Sequence, residues 1–244
     1  PYIKKEFVVP SLDFNKEEAF STIQKEGLFK VERFLNDKEV QSLKNELIST
    51  FDTMETGEEF SFPDHKESSY PFGKICRVSG GYLNSFPNIL ASFNHTELHA
   101  LTDKYFNKPH QKLFQVFFSH EYLTPDQTDG VTRNSTLHVD PYHAFKFMIY
   151  LTDCDENNGA FRYIKGSHID GQKAREGHSI EGLMGDKYRL DENPDLFNKY
   201  SEDDVVYASG KSGDLLVFTT DIIHGGGIIK KEGLERIGII CHNR

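Results

Sequence analysis

The chain has 244 residues, 28 basic against 38 acidic, for a net charge of −10. That excess of negative charge, with no Lys/Arg-rich run longer than a pair, argues against a nucleic-acid or anionic-membrane partner. Aromatic residues make up 13% of the chain, with 20 Phe, 11 Tyr and no Trp, which excludes a disordered chain and supplies a β-rich core. The length suits one large domain spanning 1–244. Cys76, Cys154 and Cys241 are widely separated and lack CxxC spacing, so neither a disulfide framework nor a thiolate zinc site is expected. No run approaches the ~18 apolar residues of a membrane span. A cytoplasmic location is the resulting expectation, and the oligomeric state is not legible.

The region to about 110 reads as helical support with a strand inserted. "NKEEAFSTIQKEG" runs from an Asn15 cap to Gly27 as a stop, and "LFKVERF" alternates in strand fashion. In "NDKEVQSLKNELISTF", Val40, Leu43, Leu47 and Phe51 recur at helical steps behind an Asn36/Asp37 cap. "PNILASFNHTELHALTDKYF" predicts a third helix with Pro87 near its start. From 111 the period changes to two, predicting strands at 112–119, 131–140, 144–152, 160–164, 205–208, 215–219 and 236–242, with turns at "ENNG", "KGSH", "ASGKSGD" and "HGGG". Many short strands behind helices predict a mainly β fold with supporting α-helices, a double-sheet barrel of the jelly-roll or cupin-like kind. The polar segment 166–204 interrupts the strands and reads as an insertion over the barrel mouth.

"STLHVDPYH" places His138 and Asp140 two positions apart, hence on one face of an extended segment, with Pro141 biasing Asp140 toward extended backbone. Two such side chains can converge on one metal ion. "GDLLVFTTDIIHGGG" supplies a third candidate, His224, followed by glycines that permit close backbone approach. Two histidines and one carboxylate are the ligand set of non-haem Fe(II) oxygenases, which leaves coordination positions open. Arg236 opens an apolar strand, where a cation is costly unless it meets an anion. Its planar fork suits the far carboxylate of a keto dicarboxylate such as 2-oxoglutarate. Taken singly, each residue also has a bland reading: a hydrogen-bonded His–Asp pair, a turn histidine, a surface arginine.

Taken in order, the HxD pair, the distal His and the Arg about a dozen residues later resemble the Fe(II)/2-oxoglutarate-dependent dioxygenases, and among them the phytanoyl-CoA dioxygenase-like family. "EGLFKVERFLNDKEVQSLKNEL", "NNGAFRYIKGSH" and "SGDLLVFTTDIIHGGG" extend the resemblance from about Gly27 onward, with Lys165 standing where the family pattern has proline. The resemblance implies a double-stranded β-helix in which His138, Asp140 and His224 hold Fe(II) and 2-oxoglutarate chelates the metal, with Arg236 on its 5-carboxylate. O2 would then be used to hydroxylate a small-molecule substrate with release of succinate and CO2. Related halogenases lack the carboxylate ligand; Asp140 is present, which favours hydroxylation. A cupin-like metal enzyme without 2-oxoglutarate and a non-catalytic metal-binding barrel are the alternatives.

Further cosubstrate contacts are sought on the strand at 144–152. One face carries Ala144, Lys146, Met148 and Tyr150, and the other carries Phe145, Phe147, Ile149 and Leu151, which suits packing between sheets. Lys146, Tyr150 and Gln115 are candidate cosubstrate donors. Arg77, His143 and Arg162 are candidate substrate contacts, and the basic residues near the mouth point to an acidic small molecule. His95 and His99, at i and i+4, read as a solvated helix face, and His168 as a turn stabiliser.

Overall fold

A computed structural model describes residues 14–52, 58–62, 68–69, 72–109, 115–125, 135–176 and 198–243. Helix α1 (Lys16–Glu26) is capped by the Asn15 side chain, which accepts from the amides of Glu17 and Glu18, and it ends at Gly27. Strand β1 (Leu28–Val31) follows, then α2 (Asp37–Phe51), where Asn36 and Glu39 form a reciprocal capping box. Such caps satisfy amides that the first helical turn leaves without partners.

The third predicted helix is two, α3 (Pro87–Phe93) and α4 (Thr96–Phe106). Asn94 ends the first, and His95 precedes the second in extended conformation. His95 and His99 are buried rather than solvated, which corrects the expected exposed face. The His95 ring packs on Phe34, and His99 bonds the Asn94 side chain. Three strands between α2 and α3 were not anticipated: β2 (Glu58–Phe62), β3 (Ser68–Ser69) and β4 (Gly73–Ser79). A 3₁₀ turn, Gly80–Ser85, links β4 to α3.

The remaining elements are β5 (Gln115–Tyr122), β6 (Phe145–Tyr150), β7 (Phe161–Ile164), α5 (His168–Glu176), β8 (Val205–Ala208), β9 (Leu215–Thr219), β10 (His224–Gly225) and β11 (Glu235–Asn243). They build an eight-stranded sheet in the order β1-β9-β6-β11-β5-β4-β2-β3 and a three-stranded sheet in the order β10-β7-β8. All pairings are antiparallel except β2 with β4. This is a jelly-roll architecture with helices on its outer face. Of the strand expected at 131–140, residues 131–134 lie outside the described residues. Within 135–140 a single bridge, His138 opposite His224, replaces it. Of the 166–204 segment, 168–176 is helix α5, Glu202–Asp204 is a 3₁₀ turn, and 177–197 lie outside the described residues.

The two faces of the large sheet divide the labour. Phe145, Phe147, Ile149 and Leu151 pack against Leu43, Leu47, Ile89 and Phe93 of the helices, not against the second sheet as expected. Full burial of each such side chain contributes about 1.5–3 kcal/mol. The opposite face meets the small sheet through Met148, Phe161, Leu216 and Phe218. A cavity remains between the sheets, and Lys146 and Arg236 project into it.

Candidate metal centre and its cavity

His138 and His224 face each other across one antiparallel bridge, each amide donating to the other's carbonyl at 2.8 Å. A reciprocally bonded antiparallel pair puts both side chains on one side of the ladder. Their rings stand 4.6 Å apart. Asp140, two residues beyond His138, is tied in turn by its amide to the Thr220 carbonyl. The backbone therefore gathers the three side chains before any ligand does.

Each imidazole is oriented by its own local carbonyl. His138 Nδ1 lies 2.7 Å from Thr136 O, and His224 Nδ1 lies 2.7 Å from Ile222 O. A carbonyl only accepts, so both Nδ1 atoms carry the proton and both Nε2 atoms present lone pairs. Those Nε2 atoms stand 3.7 and 3.8 Å from Asp140 Oδ1. One donor atom from each of the three residues lies within 4.8 Å of the others. Bonds of about 2.1 Å to a shared metal span edges of roughly 3–3.4 Å, so a small inward movement completes the set. Burial, with repulsion from His138, lowers the His224 pKa to about 3 against the pull of Asp140, which keeps the ring neutral as a ligand must be. Burial works against the Asp140 carboxylate, but the Lys146 ammonium and the two imidazoles outweigh it and hold its pKa well below the usual range. Lys146 Nζ is 2.6 Å from Oδ2, leaving Oδ1 to face the imidazoles.

Two glycines after His224 are required by close approach of backbone. A Cβ on Gly225 would lie 2.7 Å from Ser135 O, and one on Gly227 would lie 2.0 Å from the Gly159 carbonyl group. Helix α5 braces the same region. Arg175 donates to the Asp140 carbonyl through Nε at 3.1 Å and Nη2 at 3.0 Å, and it pairs with the fully buried Asp221, three residues before His224.

Across the cavity, Arg236 on β11 is buried and pairs with Glu121, its register partner on β5. Glu121, Ser119 and His242 line the cavity and were not singled out in the sequence. Period-two alternation from Gln115 reaches Glu121 once the strand is extended past Ser119 to Tyr122. Arg77 lines the same cavity, its guanidinium 4.9 Å from the Phe117 ring centroid.

Four other candidates do not line the cavity. Gln115 shares the cavity face of β5 but lies at its far end, opposite His242. The Tyr150 hydroxyl donates to Ala208 O and accepts from the Phe161 amide, both at 2.9 Å. His143 Nδ1 lies 2.7 Å from Asp221, and buried Arg162 pairs with Glu202 and the Ser135 carbonyl. His168 braces more than a turn, its Nε2 bonding Gln24 O at the end of α1.

Two largely antiparallel sheets enclosing two histidines and a carboxylate define the class of jelly-roll proteins built around a facial metal site. Within that class the chain belongs to the phytanoyl-CoA dioxygenase family, whose profile matches residues 23–233, among the Fe(II)/2-oxoglutarate-dependent oxygenases. It is 27% identical over 156 residues, 64% of its length, to the Fe(II)/2-oxoglutarate-dependent dioxygenase nvfF of Aspergillus novofumigatus, of which it spans 34%. The fold is similar to that of the epimerase SnoN in complex with Fe3+, alpha ketoglutarate and nogalamycin RO. That match has a TM-score of 0.65 at 14% identity, covering 93% of this chain and 82% of the other. It is also similar to HygX from Streptomyces hygroscopicus with nickel and 2-oxoglutarate bound, with a TM-score of 0.57 at 18% identity, covering 93% and 85%. Among the described residues no helix is long and apolar enough to cross a membrane.

Proposed function

We propose that this chain is an Fe(II)- and 2-oxoglutarate-dependent oxygenase that hydroxylates a small-molecule metabolite with release of succinate and CO2. The observation that carries the reading is convergence: two Nε2 lone pairs and one carboxylate oxygen meet at one end of a cavity whose wall also holds a buried arginine. His138, Asp140 and His224 would hold the metal, and Arg236 would take the distal carboxylate of the cosubstrate. The bound metal, with 2-oxoglutarate and O2, supplies the oxidising chemistry. Lys146 neutralises Asp140 Oδ2 and directs the other oxygen inward. Met148, Phe161 and Phe218 give the cavity an apolar wall that limits water near the reacting centre.

Arg77, half-buried in the cavity wall, supports an acidic group on the substrate. The three cysteines are free thiols, which suits a reducing cytoplasm. SnoN and HygX have been seen with nogalamycin RO and hygromycin B, and a small organic substrate is our reading for this chain as well.

The test is anaerobic reconstitution with Fe(II) and 2-oxoglutarate, following the visible charge-transfer band of the chelate. A band in the parent protein, absent in His224→Ala and Arg236→Ala, is expected. Bound iron without a band would instead favour a metal enzyme that does not use 2-oxoglutarate, or a metal-binding barrel without catalysis.

A further inference from the structure

The arginine that would receive the cosubstrate already has a carboxylate partner supplied by the chain. Arg236 and Glu121 sit opposite each other in the β11–β5 register, so the sheet itself fixes their adjacency. Both side chains are 7% exposed, and Arg236 Nη2 is 2.5 Å from Glu121 Oε1. The same oxygen accepts from Ser119 Oγ at 2.8 Å, which holds the carboxylate in place. The other terminal nitrogen, Nη1, donates to Gly159 O. Both terminal nitrogens of the guanidinium therefore have acceptors belonging to the protein.

An arginine fork matches one carboxylate with two parallel hydrogen bonds. An incoming dicarboxylate must share the guanidinium with Glu121 or displace it. Sharing places two like charges on one cation in a water-poor cavity, where their repulsion is weakly screened. A 2-oxo acid that lacks the distal carboxylate meets no such opposition.

We propose that Glu121 is a resident competitor for Arg236, and that it sets both the affinity for a 2-oxo dicarboxylate and the preference for it over a 2-oxo monocarboxylate. Glu121 is thus a specificity-determining residue acting through Arg236. The inference rests on the cosubstrate reading of the preceding section.

The experiment is an anaerobic titration of Fe(II)-loaded protein with 2-oxoglutarate and, separately, with 2-oxopentanoate, the same carbon chain without the distal carboxylate. The readout is the dissociation constant from the charge-transfer band, with no turnover required. Glu121→Gln keeps the size and one acceptor oxygen but removes the charge. It is expected to tighten 2-oxoglutarate on the order of tenfold, the size of effect that a single like-charge neighbour commonly exerts, and to leave 2-oxopentanoate unchanged. Ser119→Ala, which retains both charges and only frees Glu121 to move, is expected to tighten it by a smaller factor; it carries the test if Glu121→Gln does not fold. A band seen only in the variants would support the competitor in its strongest form. Unchanged or weaker 2-oxoglutarate binding in both variants, with a normal band in the parent protein, overturns this inference and leaves the oxygenase reading standing. No band in any of the proteins overturns both.

Discussion

The two ends of the cavity are assembled by different means. At the metal end, His138, Asp140 and His224 are brought together by a single backbone bridge from an irregular segment to the two-residue strand β10, braced from outside by Arg175. At the far end, Glu121 and Arg236 are neighbours because two long strands of the large sheet pair in one register. A one-pair bridge onto a two-residue strand is a local device that needs bracing. A register eight pairs long, from Glu235 opposite Tyr122 to His242 opposite Gln115, is held by the whole sheet. The metal end should therefore respond to changes in its bracing, and the arginine end chiefly to changes in its own charges.

The largest effects follow from breaking each end directly. Asp140→Ala removes a proposed ligand and leaves Lys146 beside two imidazoles. Mn2+ affinity by calorimetry should fall by well over a hundredfold, more than changes behind a ligand usually cost. Arg236→Ala should leave Mn2+ binding nearly intact while abolishing the 2-oxoglutarate band. It also strands Glu121 in a buried site, which costs about 3–5 kcal/mol of stability in urea unfolding. Replacing both residues by apolar side chains of similar volume should recover much of that loss. If the single and double variants lose the same stability, the pair is not the unit described here.

The two ends also differ in how far they could be read from the sequence. His138 and Asp140 share a face because side chains alternate over two residues, and a short-range rule suffices to see it. His224 and Arg236 stood out because polar residues adjoin apolar strands at places where burial demands a partner. Glu121 escaped notice because its role depends on pairing with a residue 115 positions away, and a charged residue after Ser119 reads as the end of a strand. The same blindness misassigned Phe145 and Phe147: alternation separates two faces but does not say which meets a helix and which a sheet. The helices at 16–26 and 37–51 were legible because caps and apolar spacing are local, whereas β2 depends on a parallel pairing with β4 that no local pattern announces.

An intermediate effect probes the bracing. Arg175→Gln keeps some hydrogen-bonding capacity but gives up the charge that pairs with Asp221. Mn2+ affinity should drop by about 10–100-fold, the usual consequence of losing a residue that orients a ligand. The Glu121–Arg236 end should not notice, so 2-oxoglutarate measured at saturating metal should bind as before. A matching loss at both ends would mean that the two regions do not respond separately.

The smallest effect separates a structural tyrosine from a cosubstrate contact. Tyr150 shares its strand face with Lys146 and Met148, which made it a reasonable candidate for binding cosubstrate. Its hydroxyl instead bridges Ala208 O and the Phe161 amide, joining β6 to β7 and β8 of the small sheet. Burial raises the phenol's pKa well above the ordinary tyrosine value, so it remains a donor at neutral pH. Tyr150→Phe removes that bridge and leaves two buried backbone groups each short of a partner, a loss of about 1–3 kcal/mol. Neither backbone group is a candidate metal ligand or cosubstrate donor, so the affinities for Mn2+ and 2-oxoglutarate should match the parent's within error. A shift in the 2-oxoglutarate dissociation constant with stability unchanged would return Tyr150 to the cosubstrate site.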